Sequence, residues 1–156
     1  MLDTKYQSFY DQITKKISQK RVFTDKLHTL AYGTDASFYR LIPKIIIKTD
    51  NAKEVQDIIE LSNSMNLSIT FRAGGTSLSG QAISDSILII TSRKFSNFKI
   101  ANDASYISLE PALTGAQVNG LLSRYSKKIG PDPASINAAM IGGIAANNAS
   151  GMCCGI

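Results

Sequence analysis

Tryptophan is absent from the 156 residues, histidine occurs once, cysteine twice and proline four times. Each scarcity excludes something. The two cysteines, Cys153 and Cys154, are sequence neighbours, a spacing that suits neither a zinc site nor a structural disulfide. The single histidine, His28, has no second His, Cys or Asp at ligand spacing, so a packing or surface role outweighs catalysis. The apolar runs are short, chiefly Ile45–Ile47 and Ile87–Ile90, and fall far short of the roughly 20 residues that cross a bilayer. No hydrophobic stretch follows the opening Met1-Leu2-Asp3-Thr4-Lys5, which predicts a chain with no secretory leader and a cytoplasmic location. No internal repeat or low-complexity tract is present.

Charge is lopsided, with 17 Lys+Arg against 12 Asp+Glu and a formal net charge of +5. Lys15, Lys16, Lys20, Arg21 and Lys26 gather near the start, yet no aromatic-interleaved motif accompanies them. A solvated basic face is expected rather than nucleic-acid binding. Peripheral contact with an anionic lipid surface, at the inner face of the membrane, is the alternative. With 44% hydrophobic residues, this length suits one domain with its own core.

The spacing of Tyr6, Phe9, Tyr10, Ile13 and Ile17 predicts an amphipathic helix over residues 4–20. Residues 28–43 lack a sustained period and read as an extended lead-in. Ile45–Lys48 is β-branched and reads as a strand, and Asp50-Asn51 with Glu54 resembles a capping box opening a helix whose inner face is Val55, Ile58, Ile59, Ser62 and Met65. Ser68–Phe71 is a second strand, parallel to the first because a helical crossover cannot be a hairpin. Ile87–Ile90 is a third, buried on both faces. Phe98–Ile100 and Tyr106–Leu109 around Asn102-Asp103 predict a hairpin. Thr114 and Gln117 make a second capping box, for a helix with Val118, Leu121, Leu122 and Tyr125 inside and Gly130 at its end. The expected fold class is α+β: a small parallel strand–helix–strand lobe, then an antiparallel one.

Eight of the eleven glycines (Gly74, Gly75, Gly80, Gly130, Gly142, Gly143, Gly151, Gly155) lie in or just beyond two segments. The first, Arg72-Ala73-Gly74-Gly75-Thr76-Ser77-Leu78-Ser79-Gly80-Gln81, directly follows a predicted strand. Adjacent glycines let successive main-chain N–H groups converge on one anion, and Thr76 and Ser77 add hydroxyls. The second begins Gly130-Pro131-Asp132-Pro133-Ala134-Ser135 and continues through Gly142-Gly143, Asn147, Ser150 and Gly151. Its small side chains allow close approach of an extended ligand. Ordinary turns are the competing reading, stronger for either segment alone than for both. Gln81-Ala82 stands where a P-loop would carry its Lys and Ser/Thr, which excludes an NTPase, and no G-x-G-x-x-G follows a strand, which removes the usual dinucleotide fold.

Arg72–Gln81, then Gly130–Ser135, then Gly142-Gly143 with Asn147 and Ser150-Gly151 are three motifs whose order resembles the FAD-binding domain of the vanillyl-alcohol oxidase, or PCMH-type, flavoenzymes. Tyr32-Gly33-Thr34-Asp35-Ala36-Ser37-Phe38-Tyr39-Arg40 is further similar to the opening of the FAD-linked D-lactate dehydrogenases and glycolate oxidase-like proteins, including forms fused to an iron–sulfur region. The resemblance covers about residue 30 onward, so residues 1–30 are expected to form an N-terminal helical segment and 31–156 the FAD-binding domain. It implies that the FAD diphosphate lies between two lobes, bound by Ala73–Ser77 with Gly80 and Gln81 near the flavin. Asp132, Pro133, Ser135, Gly142 and Gly143 would complete the clamp, Asn147, Ser150 and Gly151 would run alongside the cofactor, and Arg72 would neutralise phosphate charge or serve structurally. Thr76 occupies the position where some relatives carry a flavin-linking histidine, which implies non-covalent binding.

The resemblance also implies a parent enzyme that oxidises a small 2-hydroxy acid, D-lactate foremost, and passes electrons to a quinone, cytochrome or iron–sulfur acceptor. Family members continue well past the Ser150-Gly151 motif, so the fold is expected to be truncated here, with an iron–sulfur cluster only in a longer parent chain. No catalytic base is identifiable. A non-catalytic FAD-binding fragment, or a reductase of the UDP-N-acetylmuramate-forming type, are the alternatives.

Overall fold

A computed structural model describes residues 2–151; the cysteine pair and Gly155 lie outside them. The chain divides into two compact units, Met1–Arg72 with Ser77–Ser92, and Ala73–Thr76 with Arg93–Ile156.

The first unit is a four-stranded sheet in the order β1-β2-β4-β3, from β1 (Val22–Phe23), β2 (Ile45–Thr49), β3 (Ile69–Arg72) and β4 (Ile87–Thr91). β2 and β3 are both parallel to β4, with Ile45 and Ile69 each opposite Ile87, and β1 is antiparallel to β2. The expected strand–helix–strand unit is therefore present with a third strand seated between its two strands. Alternation decides which isoleucine faces which way. Ile45, Ile47, Ile87 and Ile89 face one side and pack with Phe9, Ile13, Ile17 and Ile58, while Ile46, Leu88 and Ile90 face the other, against Phe23 and Tyr32. Burying each such aliphatic side chain contributes about 1.5–3 kcal/mol.

Three expectations for this unit are corrected. The first helix, α1, spans only Thr4–Ile13, because Thr14 Oγ1 turns back onto the Tyr10 carbonyl at 2.7 Å and the chain bends there. Ile17 still enters the core, outside the helix. The lead-in contains a short helix, α2 (Lys26–Ala31), capped by Asp25, whose carboxylate accepts the His28 main-chain N–H at 3.1 Å. Six residues are too few to show a period. On α3 (Ala52–Ser64), Ile58 and Ser62 are buried and Leu61 packs on the core, whereas Ile59 lies on the flank, 43% exposed.

Asn51 caps α3 by accepting from the Glu54 N–H at 3.0 Å, but Glu54 does not return the bond to Asn51. Its carboxylate instead takes the Asp50 N–H at 2.8 Å and both terminal nitrogens of Arg21, at 2.7 and 2.8 Å. This draws the chain before β1 onto the helix start. At the far end Asn66 adopts φ 49°, and Leu67 N–H reaches the Ser62 carbonyl at 2.8 Å, a left-handed cap of the Schellman kind.

The second unit holds the expected hairpin, β5 (Phe98–Ile100) against β6 (Ile107–Leu109), with Phe98 opposite Leu109. It also holds α4 (Gly115–Leu122), and the Thr114–Gln117 capping box is present in both directions. α4 does not run to Gly130. It tightens into a 3-10 turn at Ser123–Tyr125 and stops at Ser126, φ 55°. Segment 136–141 wraps the start of α4: Gly115 N–H donates to the Ala139 carbonyl at 3.0 Å and Ala116 N–H to the Ile136 carbonyl at 3.1 Å. The donors that open α4 are thus used by the chain itself. The Gly142-Gly143 pair, expected as part of a loop, lies in a short helix, α5 (Ile141–Ala146), ended by Asn148 at φ 46° with Ala149 N–H on the Ile144 carbonyl.

Candidate cofactor site

The chain leaves the first unit after Arg72 and re-enters it at Ser77, so the four residues between, Ala73–Thr76, belong to the second unit. There they meet the second glycine segment. A Cβ on Gly74 would stand 2.5 Å from the Ala138 carbonyl oxygen, and one on Gly143 would touch the Ala73 methyl at 3.4 Å. Only a residue without a side chain lets the 74 and 138 backbones approach this closely. Gly75 follows at φ 68°, a conformation that L side chains rarely take. A tight, reversed bend results. Its Gly74, Gly75 and Thr76 N–H groups form no hydrogen bond among the described residues. Consecutive amides held in such a bend, with the Thr76 hydroxyl beside them, are the donor set an anion requires.

The remaining residues of the second segment pack on one another and on Pro111. Gly142 lies against Pro111, where an added Cβ would come within 2.6 Å of the proline Cβ. The Pro133 and Ser135 carbonyls accept from Ile136 and from Ala138 and Ala139, folding 133–139 into successive turns. Gly151 sits on the Asp132 carbonyl so closely that a side chain would overlap it, joining 132–135 to 147–151. Asn147 caps the end of α5, its N–H on the Gly143 carbonyl at 3.0 Å, and Ser150 is exposed.

The other half of the first glycine segment lies in the first unit. Ser77 Oγ accepts from the Ser79 N–H at 3.2 Å and the Gln81 N–H at 3.3 Å and donates to Gln81 Oε1, winding 77–81 around itself. Gly80, at φ 73°, lies against Tyr39, whose Cδ2 would be 2.9 Å from an added Cβ. Arg72 Nη1 donates to the Thr34 carbonyl at 2.6 Å, and the guanidinium stacks over Tyr32 at 5.5 Å. Burial lowers the Arg72 pKa, opposed by the Asp35 charge and the Tyr32 hydroxyl. Burial would raise Asp35, but donors from Ser37 and Ala82 and the charge of Arg72 outweigh it and hold the carboxyl below its usual range. His28 is tied down, its Nδ1 2.8 Å from Asp25 and its ring stacked on Phe23. Sequence reasoning missed Ala138-Ala139 and Asp35. The pair of small residues before Met140 was the available signal for the former, and a lone Asp in a turn gave none for the latter.

The sequence profile of the FAD binding domain matches residues 43–156. The chain belongs to that family. FAD is its cofactor, and the Gly74–Thr76 bend fits a diphosphate. The chain is 23% identical over 150 residues to a D-2-hydroxyglutarate dehydrogenase of Pseudomonas putida, covering 94% of this chain and 15% of that one. It is 26% identical over 109 residues to a D-lactate dehydrogenase of Archaeoglobus fulgidus, covering 69% and 24%. The structure superposes on an alkyldihydroxyacetonephosphate synthase with a TM-score of 0.82 at 18% identity, over 96% of this chain and 30% of the other. The fold is the PCMH-type FAD-binding fold. This FAD-binding chain spans between about an eighth and about a quarter of the length of the curated relatives it matches. Among the described residues no helix is long and apolar enough to cross a membrane, and no group of three or more His, Cys, Asp or Glu is placed to hold a metal.

Proposed function

We propose that this chain is the FAD-binding part of a flavin-dependent dehydrogenase of small 2-hydroxy acids, with D-lactate as its substrate and a quinone, cytochrome or iron–sulfur centre as electron acceptor. The observation that carries the cofactor half is the Gly74–Ala138 approach, at a bend whose three successive main-chain donors have no partner among the described residues. The substrate half rests on the relatives, whose named substrates, D-2-hydroxyglutarate and D-lactate, share a carboxylate next to a carbinol carbon.

In this reading the Gly74, Gly75 and Thr76 amides donate to the diphosphate, with Ala73 and Ser77 flanking them. Asp132, Pro133, Ser135, Gly142 and Gly143 set the wall behind the bend, Gly80 and Gln81 lie toward the flavin, and Asn147, Ser150 and Gly151 lie along the cofactor. With no histidine in the glycine segment, the cofactor is bound non-covalently. The chemistry that FAD would supply there is acceptance of a hydride from the carbinol carbon. The described residues offer no base for the hydroxyl proton, since His28 is committed to Asp25, so the chain by itself binds cofactor without turning over substrate.

The test is the visible spectrum after mixing with FAD and gel filtration. A flavin spectrum that co-elutes with the protein supports the reading, and a protein that emerges colourless at micromolar FAD overturns it. Bleaching under anaerobic conditions by D-lactate, compared with D-2-hydroxyglutarate and glycolate, then ranks the substrates for any chain that turns over.

A further inference from the structure

We infer that Asp35 and Arg72 act as a pair of positioning residues that close the neck of the first glycine segment and so hold its main-chain donors in place. The inference deepens the FAD reading above and rests on it for its functional consequence. Arg72 is the last residue of β3, and Ala82 stands ten positions later, after the glycine segment has run its course. Between them the chain makes an excursion that leaves and re-enters the first unit. A flexible excursion of that length has many conformations unless its ends are fixed.

Ala82 is held by both of its main-chain groups. Its N–H donates to Asp35 Oδ2 at 3.3 Å, and its carbonyl lies 3.5 Å from Arg72 Nη1. The same Arg72 nitrogen donates to the Thr34 carbonyl at 2.6 Å, which places the entry and the exit of the excursion on one dipeptide, Thr34-Asp35. Asp35 is itself oriented by the Ser37 N–H at 2.8 Å, and the guanidinium by the Tyr32 face. Arg72 is half-buried, so these bonds act where solvent screens little. A lysine could keep the charge but could not both stack and fork between two carbonyls. Tyr39, against Gly80, supports the return limb from the same lead-in. The Thr34-Asp35 motif therefore has a physical task that does not require it to touch the cofactor: it is the anvil on which the neck is closed.

The experiment uses the full chain with Asp35→Ala, Asp35→Asn and Arg72→Lys. Hydrogen exchange of peptides covering 73–82 is followed without FAD, peptides covering β2 and β4 serve as the internal control, and FAD affinity is measured by equilibrium dialysis. The expected result for Asp35→Ala is exchange roughly tenfold faster over 73–82 and FAD binding weakened by about tenfold, with β2 and β4 unchanged. Asp35→Asn, whose amide oxygen still accepts from Ala82, recovers most of both. Unchanged loop exchange, or equal acceleration in β2 and β4, overturns the brace. Should Asp35→Ala not fold, the decision passes to the other two variants. Arg72→Lys with weakened FAD binding and unchanged loop exchange would mean direct contact with the diphosphate and overturns the brace while leaving the FAD reading intact. A native chain that binds no FAD, yet whose variants loosen the loop, overturns the FAD reading and upholds the brace.

Discussion

The two units are built from different physics. The first rests on side chains: isoleucines that are fully buried on both faces of a sheet, and an Arg21–Glu54 pair that fastens the chain before β1 to α3. The second rests on bare backbone, where Gly74 and Gly151 each meet a carbonyl, and Gly115 and Gly142 each a side chain, that an added Cβ would strike. Volume is the sensitive quantity in the first unit and the absence of volume in the second. The difference suits their roles in the proposed reading, since a sheet core tolerates no cavity while a phosphate-binding bend requires bare backbone.

The largest effect should come from the sheet. Ile87→Ala removes a fully buried side chain from the strand that joins β2 to β3, and should lower stability by about 2–5 kcal/mol in urea denaturation. A loss well below that range would mean the sheet is less tightly packed than its burial indicates. Next is Gly74→Ala, where the new methyl meets a carbonyl 2.5 Å away. The strain, about 1–3 kcal/mol, should abolish FAD retention on gel filtration while the far-ultraviolet spectrum stays native. Gly143→Ala sharpens the contrast. Its methyl would make an ordinary 3.4 Å contact on a helical residue, so thermal stability should hold or rise.

The third effect depends on pH. The Arg21 bonds hold the Glu54 carboxyl below its usual range, against burial, so the stability this pair supplies is complete above the unfolded value, about 4, and is lost as pH falls through the lowered one. Glu54→Gln should cost about 1–2 kcal/mol at pH 7 and flatten the acid limb of a denaturation series. An unchanged acid limb would show that the pair contributes nothing. Smallest of all, Ile59→Ser on the exposed flank of α3 should shift stability by no more than about 0.5 kcal/mol.

Much of this architecture was legible from residue order. The isoleucine strands, the parallel relation of β2 and β3, the 98–109 hairpin and the Thr114–Gln117 box follow from local periodicity and from hydroxyl and amide groups at fixed offsets. The helix ends were less legible, because Asn66, Ser126 and Asn148 take the left-handed conformation that glycine usually signals. Ile17 kept its place in the core although its helix had ended, since burial depends on where a residue arrives and not on the element that carries it. Of the candidate site, the glycine segments were visible as composition. The family resemblance implied that both face one cofactor, but their contact through Gly74 and Ala138 was not legible, because nothing near Gly74 in sequence announces Ala138.

Taken alone, the sequence determined most of the strands, the two longer capped helices and the concentration of glycine in two stretches, because these properties arise from neighbours within a few residues. Tertiary structure decided that β4 lies between β2 and β3, that the 74 bend rests on the 138 carbonyl, and that Arg72 and Asp35 grip Ala82. Those outcomes depend on which distant backbones come within a few ångströms, and that is settled only when the whole chain packs.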